Sequence, residues 1–367
     1  MQDNQKTDIR LVIGATEINQ FDDVSIDSVI DVPADGWSVT AFNPVYDRLP
    51  MDVSAGQKIQ LYYGKELVLT GICDSVKEVV KRDGRLLQIA GRDLAGQLID
   101  CSVPLFNGKQ LNLQELINRY VLSGDFASLF SNVKIQNNAW LKNKVSIEPT
   151  ESVWDALAKA AQVTGQHVWL ESDGTIVIGD PFANPYQVQQ PLMLMYDGNQ
   201  NNILDAEYEE DVSSVFSTIK MLSQDAEARQ ILSEATSSTN YQYGRLKLVS
   251  LGDVETQSEA KAALDKIKKD NDLQAYSLTV TVQGWTIDNR VWTAGMYVTV
   301  KSDVLSRATA KWMVLGRTLR LSRGQGQTTI LRLKRQGDWA QPLTSKQHQD
   351  KTQKKKAKQA LKKEPKP

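Results

Sequence analysis

Trp37-Ser38-Val39-Thr40-Ala41 decides the reading of this chain, because a second version of it, Tyr276-Ser277-Leu278-Thr279-Val280, stands near the other end. Both alternate apolar and polar residues with the period of a half-buried strand. The glycine of an Ala-Gly pair lies nineteen residues after each leading aromatic: Ala55-Gly56 after Trp37, Ala294-Gly295 after Tyr276. Each pair runs into another strand pattern, Ile59-Gln60-Leu61 or Tyr297-Val298-Thr299-Val300. Gly71 precedes Asp93 by 22 residues, and Gly316 precedes Asp338 by 22. Between those markers lie two strands around a glycine-bearing turn, Asp83-Gly84 or Arg323-Gly324-Gln325-Gly326. Any two β-meanders align loosely, since alternation is generic. Two matched long spacings behind an aromatic-Ser-x-Thr start argue for a duplicated module. The copies differ by six residues between the Ala-Gly pair and the marker glycine that follows, Gly71 or Gly316, which predicts a longer hairpin in the second copy.

The fold class expected is α+β, mainly β: two tube-like β-barrel domains with an α+β insert between them. Residues 8–102 read as the first barrel, with Ile59–Tyr63, Leu67–Thr70 and Leu86–Ala90 as short strands between turn signals. Residues 103–181 change period. Leu113, Leu116, Ile117, Tyr120 and Val121 form a helical stripe ending near Ser123-Gly124. Thr150 reads as the N-cap of a second helix carrying Val153, Trp154, Leu157, Ala160 and Ala161, and Gly165 sits at its C-terminal cap. His167–Leu170 and Thr175–Ile178 flank Asp173-Gly174 as a hairpin. Residues 182–339 read as the second barrel, with a loop and helical insertion near 223–272. Within it, Ser233–Asn240 is expected as an exposed loop, and Ser258 as the cap of a helix over about 258–270. Residues 340–367 read as a basic disordered tail.

Net charge −1 conceals an asymmetry. Residues 345–367 hold nine lysines against Asp350 and Glu364, a net +7, so residues 1–344 carry −8. An acidic body is a poor general nucleic-acid binder, because phosphate contacts need clustered Lys and Arg. No apolar run is long enough to span a membrane, and Met1–Lys6 is polar, unlike a secretory signal. Cys73 and Cys101 make no disulfide framework, which fits folding in a reducing cytosol.

Catalytic chemistry is hard to assemble from these residues. His167 and His348 are the two histidines; the first reads as a half-buried structural residue, the second belongs to the tail. No Cys/His spacing suits zinc and no P-loop occurs, so no metal or cofactor is expected. Two readings stay open beside an assembly role. A cell-wall-degrading hydrolase needs only two carboxylates about 5–10 Å apart, and Glu148, Glu151, Asp205 and Glu207 are available. An OB-like nucleic-acid binder needs stacking aromatics in a basic groove; Tyr62, Tyr63, Trp285, Tyr297 and Trp312 supply rings. In the second copy, Arg317, Arg320, Arg323, Arg332, Lys334 and Arg335 read as a basic face.

A duplicated barrel has a consequence for symmetry. Three copies of a chain with two similar barrels make six quasi-equivalent modules, which fit a hexamer on one side and a threefold partner on the other. Barrel edges would then become pairing surfaces between subunits.

The sequence resembles the baseplate hub proteins of Mu-like contractile-tailed bacteriophages, whose plan is shared by other myophage hubs and the N-terminal part of type VI secretion spike proteins. The resemblance rests on Asp8–Gly14, on Gly71-Ile72-Cys73-Asp74-Ser75-Val76, on Gly91–Pro104 and on Thr164–Gly174. It covers about 8–338. It implies a structural, non-enzymatic protein: a homotrimer forming a pseudo-hexameric adaptor between the hexameric tail tube and the trimeric central spike. Tape measure and other baseplate proteins join the implied partner set. The location implied is the virion tail baseplate, assembled in the host cytoplasm, with DNA passing through the lumen. Asp205, Glu207, Glu209, Glu210 and Asp211 are then candidates for an acidic lumen wall. In the same reading, the basic face formed by Arg317, Arg320, Arg332, Lys334 and Arg335 would contact an acidic partner.

Overall fold

Strands dominate, in a repeating order. In a computed structural model, the residues described are 8–30, 32–42, 53–82, 84–103, 111–122, 127–130, 132–138, 140–141, 151–181, 183–224, 230–236, 244–250, 256–273 and 275–335. The expected tail, Asp338, the Ser123-Gly124 helix end and the Thr150 cap therefore lie outside the described residues.

The first segment lays down Ile9–Ile13 (β1), Thr16–Ile18 (β2), Asp23–Val29 (β3), Gly36–Phe42 (β4), Lys58–Tyr63 (β5), Glu66–Lys81 (β6) and Gly84–Asp93 (β7). The middle holds Ala95–Asp100 (α1), Leu111–Asn112 (β8), Leu113–Tyr120 (α2), Val133–Ile135 (β9), Trp140–Leu141 (β10), Val153–Val163 (α3), His167–Leu170 (β11) and Ile176–Gly179 (β12). Then come Leu192–Leu194 (β13), Ile203–Glu210 (β14), Thr218–Gln224 (β15), Gln230–Thr236 (β16), Leu246–Ser250 (β17) and Gln257–Leu273 (α4). The last run is Tyr276–Gln283 (β18), Thr286–Ile287 (β19), Arg290–Val291 (β20), Tyr297–Ser302 (β21), Ala310–Ser322 (β22) and Gly326–Lys334 (β23).

One five-strand order occurs twice. β3-β4-β7-β6-β5 in the first half matches β14-β18-β23-β22-β21 in the second. Matching devices accompany it. Gly56 and Gly295 sit at φ +88° and +91°, in the left-handed region that favours glycine, and their N–H groups donate to Cys73 O and Val314 O at 2.7 Å. β6 bulges against β7 between Cys73 and Ser75; β22 bulges against β23 between Val314 and Gly316.

These devices correct the alignment expected from sequence. Trp37 faces Gly91, which faces Cys73; Leu278 faces Leu333, which faces Val314. Trp37 is therefore the counterpart of Leu278, two residues beyond Tyr276. The bulges make Ser75, not Gly71, the counterpart of Gly316. Only the Ala-Gly match is in register. A slide by two residues preserves every in/out position along a strand, so alternation cannot detect it.

Two closed barrels were expected. Among the described residues the pairing instead gives one open sheet of thirteen strands, running β14-β18-β23-β22-β3-β4-β7-β6-β5-β1-β2, with β13 and β21 attached beside β22. The half of β22 from Gly316 to Ser322 gives its edge to β3, from Val29 to Asp23, rather than closing its own half. The cores merge as well: one buried cluster joins Ile9, Leu61 and Trp37 to Trp285, Val298 and Leu331. Trp285 is fully buried, lies 5.2 Å from the Tyr63 ring and donates its indole N–H to Arg320 O at 2.8 Å.

The middle segment has its own core, in which α1, α2 and α3 bury Leu98, Leu116, Ile117, Val153 and Leu157 against β12. Asn112 and Glu115 form a reciprocal capping box on α2, and Ser152 caps α3 through the Asp155 N–H. The cap of α4 is Thr256, not Ser258: its hydroxyl accepts from Glu259 N–H and its own N–H donates to the Glu259 carboxylate. Ser233–Thr236, expected in a loop, belong to β16, because pairing with β15 overrides their polar composition. No helix among the described residues is long and apolar enough to cross a membrane.

Candidate functional site

The outward face of the large sheet gathers most of the singled-out charges. Along β14, Asp205, Glu207 and Glu209 point outward, while Ala206 and Tyr208 turn to the core. Tyr208 stacks on Tyr276 at 6.5 Å and meets Trp312 edge-on at 6.3 Å. Glu210 faces the other way from Glu209 and pairs with Arg307 at 2.8 Å. Asp211 follows the strand, where the backbone and hydroxyl of Ser213 hold its carboxyl below the usual carboxylate range. Three of the five expected acids therefore share one face.

The basic residues divide too. Register carries Glu207 across Thr279 to Arg332, and Glu209 across Ser277 to Lys334. Arg332 pairs with Asp27 of β3 and donates to the Thr318 hydroxyl at 3.0 Å. Arg320 is exposed on the same face. Arg317 and Arg335 are each only 4% exposed. Arg335 lies over the Tyr276 ring at 4.3 Å, and Arg317 points inward. Acids and bases read as separate features thus share one mixed-charge surface, and two of the five bases never reach it.

The other open readings lose their parts. Trp285 and Trp312 are fully buried and Tyr297 nearly so, so these rings pack the core instead of offering stacking platforms. Glu148 lies outside the described residues, Glu151 is ion-paired with Lys159, and Asp205 and Glu207 stand on an open sheet face rather than in a cleft. Among the described residues no group of three or more His, Cys, Asp or Glu can hold a metal.

A cavity of about 560 Å³ lies where both sheet halves meet the middle segment, and sequence reading gave no sign of it. Asp35, Glu66, Asp93, Trp154, Trp169 and Arg317 line it. Arg317 donates to Trp292 O and to Val68 O, and burial lowers its pKa to about 10. Glu66 accepts from Val291 N–H at 2.9 Å. Burial raises the Asp35 carboxyl to about 6, against the opposing pull of Ser28 and Arg317. Burial and then the charge of Asp35 raise Asp93 to about 7. Next to it, Arg92 binds Asp74 at 2.8 Å and Asp100 at 2.6 Å, so Gly91-Arg92-Asp93 ties β6, β7 and α1 together.

An acid whose folded pKa exceeds its unfolded value binds its proton more tightly when folded. Its contribution is complete at low pH and is lost as pH rises from about 4 to about 7. Asp93→Asn keeps an oxygen to accept from Ala95 N–H (2.9 Å in the native chain) but carries no charge. The variant should be more stable than the native chain at pH 8, by on the order of 4 kcal/mol at roughly 1.4 kcal/mol per pKa unit between the ordinary carboxylate value and about 7, and nearly equal at pH 4. Thermal melts at the two pH values measure this; equal destabilisation at both would contradict it.

Three family profiles match the chain. Residues 8–93 match "Mu phage baseplate assembly protein GpP-like, N-terminal", and 95–180 match "Baseplate hub protein gp44-like, second domain". Residues 270–337 match "Tail protein, C-terminal domain". A curated relative, baseplate hub protein gp44 of Escherichia phage Mu, is 22% identical over 306 residues, 80% of this chain and 79% of the relative. A tail protein from Neisseria meningitidis MC58 is similar at 27% identity and TM-score 0.73, over 90% of this chain and 97% of that one. A 43 kDa tail protein of prophage MuSo2 from Shewanella oneidensis shares the fold at 17% identity and TM-score 0.73, over 89% and 97%.

Proposed function

The chain belongs to the Mu-like baseplate hub family, structural parts of the contractile tail in the virion, and from that premise we propose that three copies close into a ring joining the hexameric tail tube to the trimeric spike. The observation that carries the ring is the doubled strand order. One chain holds two quasi-equivalent modules already joined edge to edge by β22 and β3. Three such chains offer six modules to the tube and three whole subunits to the spike. The relatives are named as a baseplate hub protein and a tail protein, which supports a non-enzymatic role. Tape measure and other baseplate proteins are further partners in this reading.

In the ring the outward sheet face lines the channel. Its acids Asp205, Glu207 and Glu209 are interleaved with Arg320, Arg332 and Lys334, and Arg332 is paired with Asp27, so the face offers DNA mixed charge rather than a continuous run of cations. Mass photometry of the purified chain tests the ring. The expected species at micromolar concentration is three times the 41.0 kDa chain mass. A monomer that stays monomeric after tube or spike protein is added would sink the proposal.

A further inference from the structure

The junction inside one chain supplies a template for the junction between chains. From β14 to β6 the sheet runs through eight strands, each antiparallel to the next. Among the described residues, β14 pairs on one side only, and Ser75–Lys81 of β6 pairs only with β7. An even number of alternating strands leaves these free edges in the orientation an antiparallel head-to-tail contact requires.

The counterparts fix the register. Ser75 takes the place of Gly316, by their bulges. Tyr208 takes the place of Ile26, because each faces the counterpart residue on the next strand, Leu278 or Trp37. Since Gly316 faces Val29 and Leu319 faces Ile26, we infer that β6 of one copy pairs with β14 of the next, with Lys77 opposite Glu209, Val79 opposite Glu207 and Val80 opposite Ala206. This seam rests on the ring proposed above and specifies its subunit contact.

Two independent features support that register. Val80 is 70% exposed in the single chain, while its counterpart Leu321 is 9% exposed beside Val24 at 2%. The inner junction therefore buries what the outer one leaves open, and a neighbouring Ala206 would cover Val80. Charge agrees as well. Lys77 and Glu209 stand where Thr318 and Asp27 do, and there the Thr318 hydroxyl donates to the Asp27 carboxylate at 2.5 Å. Directly opposite side chains of opposite charge stabilise antiparallel pairs.

Oxidative cross-linking with paired mass photometry tests the seam. Val79→Cys/Glu207→Cys places two thiols directly opposite, within the Cα separation a disulfide bridges; Val79→Cys/Asp205→Cys places them diagonally, beyond it. The wild type, with its own Cys73 and Cys101, is the blank. The first variant should convert most chains to covalent oligomers under mild oxidant, at least about tenfold more than the second. A ring that forms but cross-links through 79/205, or through neither pair, overturns this register and leaves the hub ring standing. Failure of wild-type chains to oligomerise overturns the ring itself, and the seam with it.

Discussion

Gly91→Ala should yield little or no folded chain, whereas Gly96→Ala five residues later should be nearly silent. A methyl at Gly91 would lie 1.9 Å from Ile72 O, 2.9 Å from Asp74 N and 3.0 Å from Ile72 C. All three are backbone atoms of β6 beside its bulge, so no rotamer change relieves the clash. Gly71 faces the same restriction from the other strand, 2.2 Å from Arg92 O. Moving β6 away from β7 would separate Arg92 from Asp74 and disturb Asp93 where α1 begins. Loss above about 4 kcal/mol is expected, enough to unfold a marginally stable domain. At Gly96 the atoms nearest the methyl belong to the Arg92 side chain at 3.2 Å, a contact relieved by a shift of a few tenths of an ångström. Circular dichroism melts and soluble yield compare the two variants. A Gly91→Ala chain melting within a few degrees of wild type would show that β6 and β7 have slack there.

Arg317→Met should cost about 3–5 kcal/mol at pH 8, the range for removing one partner of a buried charge pair. Arg317 is the cation facing Asp35 and Glu66 in the junction cavity, and both carboxylates act on it. Without it the Asp35 carboxyl, already raised to about 6, moves higher still. The sign follows from linkage. A raised carboxylate binds its proton in the folded state, so the variant keeps more stability at pH 5 and loses it as pH rises toward 8. Urea unfolding at both pH values should show the variant's deficit widening with pH. Asp35→Asn on the Arg317→Met background should recover most of the loss at pH 8, because the pair is then neutral on both sides. A deficit equal at both pH values, with no recovery, would mean that Arg317 acts only by filling space.

Arg317 also marks the limit of sequence reading. In the sequence it sits near Arg320, Arg332 and Lys334 and so reads as part of a basic face, although it lies two residues from Leu319 and so on the same side of the strand. The bulge after Val314 changes which residues of β22 face inward, and a bulge leaves no mark in polar/apolar alternation. Asp35 and Asp93, 58 residues apart, meet in the cavity with no local signal at either position. By contrast, the helical stripe Leu113, Leu116, Ile117 and Val121 was legible because its burial follows from the helical period alone.

Local devices are legible in the residues alone: strand alternation, helix faces, Ala-Gly turns in two copies, and the Gly91-Arg92-Asp93 junction carrying the family resemblance. Tertiary structure alone decided the register between the copies, the merging of their cores and the joining of β22 to β3 in one open sheet. The reason is the two-residue period of a strand. It fixes which face is buried but is blind to slides by two, so only long-range hydrogen bonds and close backbone approaches choose the alignment.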